Sequence, residues 1–387
     1  MEKILIVNNN MNIGGVQKSL VNLLRCISSE YEVTLLLFHR SGALLDDVPK
    51  NVKVLCVGAP YTYLGMSDAE TNGHILRKLG RSFYAAMARL FGFGVSVACM
   101  APFQKKLRGY DVAVSFLHSG APKAFYGGCN EFVLRHVEAK RKVTFLHCDF
   151  AKIGANTARN RRLYARFDRI ASCSEGCRAA FLAVFPEFAE KTLTVENCQD
   201  FVQIVKKAES APVTPRSDCV LHVVTVARLG REKGVLRGVE ALAALHDKRV
   251  HYTVIGDGVE RAEIEAAVEK YALQKQVTLL GELENPYGYI KAADLLLIPS
   301  YSEAAPMVID EAACLGTPIL TTTTSSADGM VAKTGYGWVC ENSVQGICNG
   351  LSALLAEPQR LVERREFLKE KHFGNDAALE HFRRLTH

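Results

Sequence analysis

A chain of 387 residues is long enough for two domains with separate cores, and 48% hydrophobic with 23% charged residues is an ordinary globular composition. No apolar run reaches the length of a membrane-spanning helix, since the longest, 90–103, is interrupted by Gly92 and Gly94. The net charge of +6 is uneven: residues 1–200 hold 26 Lys and Arg against 17 Asp and Glu, residues 201–387 hold 21 against 24, which predicts an anionic surface or acceptor on the first half.

The first residues, Met1 to Asn8, lack a long apolar region and a small-residue cleavage site, so they read as a first strand and not as a leader. The run 4–7 is followed by a turn ending in Gly14 and Gly15, then by a helical pattern through Val16, Leu20, Leu23 and Leu24. Strand, Gly-rich turn and helix open a doubly wound α/β domain. The turn is not Gly-x-Gly-x-x-Gly, so the dinucleotide fingerprint is absent. Gly14 and Gly15 either let backbone N–H groups approach a ligand or form a plain tight turn.

Runs 33–38 and 52–57 continue the strands. The stretch 71–110 differs: it has no acidic residue, yet holds Arg77, Lys78, Arg81, Arg89, Lys105, Lys106 and Arg108. Leu76, Leu79, Phe83, Met87 and Leu90 recur at helical spacing, and Phe91, Phe93 and Phe103 follow. Such a segment lies in the interface of an anionic membrane, or is a core-facing helix with a solvated basic side; the missing acids favour the membrane. No helix-turn-helix, RNP or zinc signature accompanies the charge, so nucleic acid is not expected as a partner.

Runs 111–117 and 142–146 are two further strands, ending at His118 and His147. Ligands of open α/β sheets collect beyond the carboxyl ends of strands, which places both histidines to meet one, His147 being the favoured functional residue. In the basic loop 152–169, Arg159, Arg161 and Arg162 read as contacts for an acceptor phosphate or as solvated charges. A strand at 170–174, a helix at 176–184 and a strand near 193–195 follow. The segments 197–200 and 206–218 read as the hinge between domains. Twelve cysteines, Cys173 and Cys177 the closest pair, are scattered mostly in apolar runs without zinc-knuckle spacing. They read as reduced thiols in a cytosolic protein.

The second half restarts the pattern. A strand at 220–226 leads into a turn carrying Arg228, Lys233 and Gly234, where both cations are able to converge on a phosphate in front of a helix start. A strand at 252–255 ends at Gly256 and Gly258, and further strands span 277–280 and 295–298. The stretch 300–316 then opens a helix, with Pro306 predicted at its first position and Gly316 and Pro318 at its stop. This helix is apolar except at Asp310 and Glu311, so Glu311 is a carboxylate held near a core. Glu303 stands in the loop entering it. A phosphorylated ligand whose diol and second polar group meet the two carboxylates accounts for the stretch; so does a helix whose acids complement its dipole. Helices at 351–355, 359–371 and 375–385 close the chain.

Taken together, Val226 to Gly234, Gly256-Asp257-Gly258, 281–287 and Glu303 to Glu311, with Gly14-Gly15 and Phe145 to Asp149 before them, resemble a retaining GT-B glycosyltransferase of the large family 4. The resemblance implies two Rossmann-like, doubly wound parallel-sheet domains facing across a cleft: an acceptor-side domain 1–203, a nucleotide-sugar-binding domain 204–371, and a helix 372–387 returning to the first. It implies hexosyl transfer from a UDP- or GDP-sugar to a saccharide or lipid-linked acceptor in surface polysaccharide biosynthesis, with no metal and no cofactor, on the cytoplasmic face of the inner membrane. Arg228 and Lys233 would neutralise the diphosphate, Glu311 hold the ribose and Glu303 the transferred sugar. Gly14, Gly15, Gly256, Gly258, Ala304, Ala305, Pro306 and Met307 would line the donor. His147 would stand near the anomeric carbon, and His118, Arg159, Arg161 and Arg162 on the acceptor side. Ala304, Ala305 and Pro306 depart from the family's usual loop, so the sugar stays open. A nucleotide-sugar epimerase of the same fold and a non-catalytic nucleotide-sugar-binding scaffold stand as the other readings.

Overall fold

A computed structural model describes residues 1–387 except 73, 121, 122, 126 and 218. Gly73, in the basic stretch 71–110, and Asp218, at the end of the 206–218 segment, therefore lie outside the described residues. The chain divides into two compact units, Met1–Cys198 with Asn375–His387, and Gln199–Gly374.

The first unit is built on a seven-stranded, all-parallel sheet of order β3-β2-β1-β4-β5-β6-β7. Its strands are β1 Lys3–Asn8, β2 Glu32–Leu37, β3 Lys53–Cys56, β4 Leu107–Ser115, β5 Val137–Leu146, β6 Arg169–Ser172 and β7 Thr192–Thr194. Successive side chains enter opposite cores, because the side-chain period of a strand is two. Ile4, Ile6, Leu35 and Leu37 pack in one apolar cluster, Leu5, Val7, Leu36 and Phe38 in the other. Both clusters are buried, as a parallel sheet covered by helices on both faces requires.

β4 and β5 begin earlier than the apolar runs predict. Among the added residues Leu107, Val137 and Ala139 pack in the core, and the charged ones are held by pairs between neighbouring strands: Arg108, with Lys106 just before it, meets Glu138 at 3.0 and 3.2 Å, and Lys140 meets Asp111 at 2.7 Å. The terminal helix Asp376–Thr386 sets Ala378, Phe382 and Leu385 into the same core as β1.

The basic stretch forms two helices, Ile75–Phe91 and Phe93–Met100. Its apolar stripe does not face the core. Leu76 is 83% exposed, Leu90 is 73% exposed, and Ile75, Leu79, Phe83 and Phe91 are exposed with them. Ala88 is the buried residue of the first helix. Arg81 instead turns toward the unit, donating from Nε to the carbonyl of Met66 at 3.2 Å and lying over the Phe125 ring. The core-facing alternative is thus corrected: the helix leans on the unit through Gly80, Arg81, Tyr84 and Ala88, while Arg77, Lys78 and Arg89 stay exposed.

The second unit has a six-stranded parallel sheet of order β10-β9-β8-β11-β12-β13. The strands are β8 Leu221–Val226, β9 Val250–Ile255, β10 Val277–Leu279, β11 Leu295–Ile298, β12 Ile319–Thr322 and β13 Gly337–Cys340. Again alternate residues divide between two cores, Leu295 and Leu297 in one and Leu296 and Ile298 in the other. The segment 206–218 is not simply a hinge: its first residues belong to the helix Phe201–Ser210, whose Ile204 and Ala208 are buried in the second unit's core beside Ile290 and Ile309.

Candidate functional site

In each sheet the strand order reverses beside the first strand, at β1/β4 and at β8/β11, and loops leaving such a point diverge to open a crevice for a ligand. In the second unit the loops after β8 and β11 bring together residues far apart in the chain. After β8 the backbone runs through Arg228 to a short 3-10 turn, Arg231–Lys233. Gly234 follows with a left-handed backbone, φ +59°, and starts the helix Val235–Leu245. A Cβ on Gly234 would stand 2.3 Å from the carbonyl oxygen of Pro299, so only glycine lets the two loops approach.

Lys233 donates from Nζ to both carboxylate oxygens of Glu303, at 2.8 and 3.0 Å. Glu303 is buried, and Ser300 Oγ donates to its Oε1 at 2.7 Å. The backbone carbonyl of Glu303 accepts from Ser325 Oγ at 2.8 Å. Arg228 does not join this group: its guanidinium pairs with Glu232 at 2.6 Å and its side chain is 75% exposed. Burial pushes the Glu232 carboxyl up, but its own backbone N–H and Arg228 more than offset this and hold it below the usual range. Two cation–carboxylate pairs therefore line one turn, where the sequence suggested two cations converging on one anion.

Pro306 stands one residue before its helix, Met307–Cys314, with extended backbone (φ −69°, ψ 119°), a correction to its predicted first helical position. Neither this helix nor Val235–Leu245 has a side-chain cap at its N-terminus, which leaves their first-turn dipoles to other partners. Met307 and Glu311 are buried, while Ala304, Ala305 and Pro306 are half-buried. Gly256 and Gly258 have a packing reason: their Cβ positions fall 1.9 Å from the Ala227 carbonyl oxygen and 2.5 Å from that of Leu229. They clamp the loop after β8 to the loop after β9, with Leu229 N–H donating to the Asp257 carbonyl at 2.9 Å.

In the first unit, Gly14 has extended backbone (φ −179°) and precedes the uncapped helix Gly15–Ile27, so no left-handed conformation demands a glycine there. Ser115 pairs with Thr144, the Phe116 and Phe145 rings beyond them lie 4.8 Å apart, and His118 and His147 follow, near enough for one to act on the other. The His147 ring stacks on Phe145 at 5.7 Å and lies 4.7 Å from Phe116. Burial drives the pKa of His118 down to about 4, and burial with His118 beside it drives that of His147 down to about 3. Both rings are neutral at pH 7. Nε2 of His147 is buried without a hydrogen-bond partner among the described residues. Such a ring exchanges hydrogen bonds with a neutral hydroxyl but supplies no positive charge.

The three arginines separate. Arg159 pairs with the buried Glu131, lies 5.6 Å over the Phe93 ring, and thus ties three helices together instead of awaiting an acceptor. Arg161 pairs with Glu187 at 3.2 Å. Arg162 donates from Nε to the Ala158 carbonyl at 3.2 Å, on an exposed surface. None of the twelve cysteines is in a disulfide, and no group of three or more His, Cys, Asp or Glu able to hold a metal ion is found among the described residues. No helix of the described residues is long and apolar enough to cross a membrane.

Sequence reasoning missed Ser300, Glu232, Arg237 and Asn342. Arg237 left a signal: one cation inside the apolar turn Val235-Leu236-Arg237-Gly238-Val239.

Residues 209–372 match the profile of the family described as Glycosyl transferases group 1. The chain is similar to the lipopolysaccharide glucosyltransferase WaaG of Escherichia coli (strain K12), 37% identical over 110 residues, 28% of this chain and 29% of that protein. It is similar to the 2-deoxystreptamine glucosyltransferase of Streptomyces kanamyceticus, 33% identical over 142 residues, 36% of this chain and 33% of that protein. The chain thus spans about a third of the length of these curated relatives. Among solved structures, Anabaena Alr3699/HepE in complex with UDP and glucose superposes with a TM-score of 0.66 at 18% identity, over 99% of this chain and 96% of that one. Two Rossmann-like parallel-sheet units and this likeness give the chain the GT-B fold of glycosyltransferases, with the group 1 profile carried by residues 209–372.

Proposed function

We propose that the protein is a retaining glycosyltransferase that moves a hexosyl group from a UDP- or GDP-sugar to a saccharide or lipid-linked acceptor in surface polysaccharide biosynthesis. The observation that carries this reading is the Lys233–Glu303 pair, set where the β8 and β11 loops meet and beside an uncapped helix start. The group 1 match covers this pair, and the curated relatives named above are glucosyltransferases.

In this reading Lys233, the exposed Arg228 and the helix start at Gly234 meet the diphosphate. Charge develops on the leaving nucleoside diphosphate as the glycosidic bond breaks, and cations aimed there lower the barrier without a metal. Glu311 takes the ribose hydroxyls and Glu303 the transferred sugar. His147, neutral and aromatic-backed, hydrogen-bonds a sugar hydroxyl. The uncovered stripe Leu76, Leu79, Phe83 and Leu90, with Arg77, Lys78 and Arg89 around it, rests on an anionic membrane that presents the acceptor from its cytoplasmic side.

Purified protein is screened by thermal shift against UDP-glucose, UDP-galactose, UDP-N-acetylglucosamine and GDP-mannose, because a ligand bound only by the native state raises its melting point. The stabilising donor is then supplied with lipid-linked acceptor extract, and released nucleoside diphosphate and product anomer are measured. A product keeping the donor's anomeric configuration is expected. Isomerised donor without acceptor would support an epimerase. Tight binding without transfer would support a scaffold, and no binding of any donor overturns the reading.

A further inference from the structure

Arg237 is a cation buried to 4% exposure whose hydrogen-bond partners are all neutral. Nη2 donates to the Pro299 carbonyl, and Nη1 to Asn342 Oδ1 at 2.8 Å and to the Asn342 carbonyl at 3.3 Å. Its guanidinium carbon lies 3.5 Å from the Tyr301 ring centroid. Burial holds its pKa below the ordinary arginine value. A buried guanidinium without a carboxylate is costly, and an apolar side chain would fill the same helix position at lower cost. What the arginine alone supplies is the joining of three segments: the helix Val235–Leu245, the loop after β11, and the residue after Glu341.

The joined points bracket Ser300. Pro299 is held through its carbonyl, which also seats against Gly234. Tyr301 is held by its ring and through Asn342, whose Nδ2 donates to the Tyr301 carbonyl at 3.2 Å and to that of Thr323 at 2.8 Å. Ser300, between them, hydrogen-bonds Glu303 at 2.7 Å. Glu311 lies outside this bracket, on the helix Met307–Cys314.

We infer that Arg237 is a positioning residue: by fixing the backbone on both sides of Ser300 it sets Glu303 for the transferred sugar while touching no part of the donor. The inference rests on the assignment of Glu303 to the sugar and Glu311 to the nucleoside under Proposed function. It separates the two halves of the ligand. Loosening the bracket weakens recognition of the sugar and leaves that of the nucleoside intact.

Two readouts test it in Arg237→Met, Arg237→Lys and Asn342→Ala, the last keeping the buried cation in case Arg237→Met does not fold. Amide hydrogen exchange of residues 300–304 in the ligand-free protein reads the loop directly; it is expected to quicken on the order of tenfold in Arg237→Met, the equivalent of one lost charge-assisted hydrogen bond. Calorimetric affinity for UDP-glucose is expected to fall by a similar factor, that for UMP to stay within about twofold, and Arg237→Lys to recover part of the loss. Unchanged exchange of 300–304 in both Arg237→Met and Asn342→Ala overturns the inference, as does an equal loss for UDP-glucose and UMP. If wild-type protein binds no nucleotide sugar, the proposed function falls and the exchange result alone decides whether Arg237 positions the loop.

Discussion

Lys233 and Glu303 stand 70 residues apart in the chain, yet the ammonium meets both oxygens of a carboxylate that is itself buried. Parallel pairing of β8 with β11, Leu296 opposite Val224, is what carries the two loops to one place.

Removing one partner leaves the other buried group unpaired, which costs about 1–3 kcal/mol. Lys233→Met is expected to lower unfolding free energy by that amount in urea titration, and turnover by about 100-fold or more if the lysine meets the diphosphate. The double variant Lys233→Met with Glu303→Gln should regain much of the stability and none of the turnover. Near-wild-type turnover in Lys233→Met would remove its assigned role.

The histidine pair makes stability depend on acidity. Folded pKa values of about 4 for His118 and about 3 for His147 lie below the ordinary 6.5, so protons bind the unfolded chain first. Their contribution is complete above pH 6.5 and is lost as pH falls from there through about 4 for His118 and about 3 for His147, at about 1.4 kcal/mol per residue per pH unit over that window. Unfolding midpoints measured from pH 7 to pH 4 should fall less steeply in His118→Gln with His147→Gln than in the wild type. Parallel slopes would mean that neither ring is held neutral.

Gly256→Ala drives a methyl group into the Ala227 carbonyl, at 1.9 Å, where backbone cannot step aside cheaply. A loss on the order of 2–4 kcal/mol is expected. Gly58 has nothing within 4 Å of its Cβ position, so Gly58→Ala is a matched control expected to stay within about 0.5 kcal/mol. Thermal melts of the two side by side decide whether Gly256 is set by packing.

The exposed stripe predicts reversible attachment to anionic lipid. Wild-type protein should float with vesicles of phosphatidylglycerol and phosphatidylcholine, and less with phosphatidylcholine alone. Leu76→Ser with Phe83→Ser and Leu90→Ser removes roughly 4–6 kcal/mol of apolar burial in the interface, enough to abolish flotation. Because these side chains are exposed, melting temperature should barely move. Equal flotation of the triple variant would assign the stripe another partner.

Much of the architecture was legible in short apolar runs. Ile4 to Val7 and Leu295 to Ile298 are all buried, and such runs separated by helical periodicity leave few folds other than a doubly wound sheet. Lys233, Gly234 and Glu303 were legible because each follows a strand, where that fold places its ligands. Arg159 was misread for a physical reason: a basic cluster looks alike whether it faces water or a buried Glu131.

By itself the sequence determined most of the strands (β13, Gly337–Cys340, was missed), many strand-end residues and the two-domain plan, since these depend on local periodicity and on residues next to one another in the chain. Only the tertiary structure decided that Arg228 answers Glu232 while Lys233 answers Glu303, that Arg237 bridges Pro299 and Asn342, and that Leu76 and Phe83 look outward. Those outcomes depend on which strands become neighbours and on what covers a helix face. Periodicity gives the direction of a face and says nothing of what packs on it.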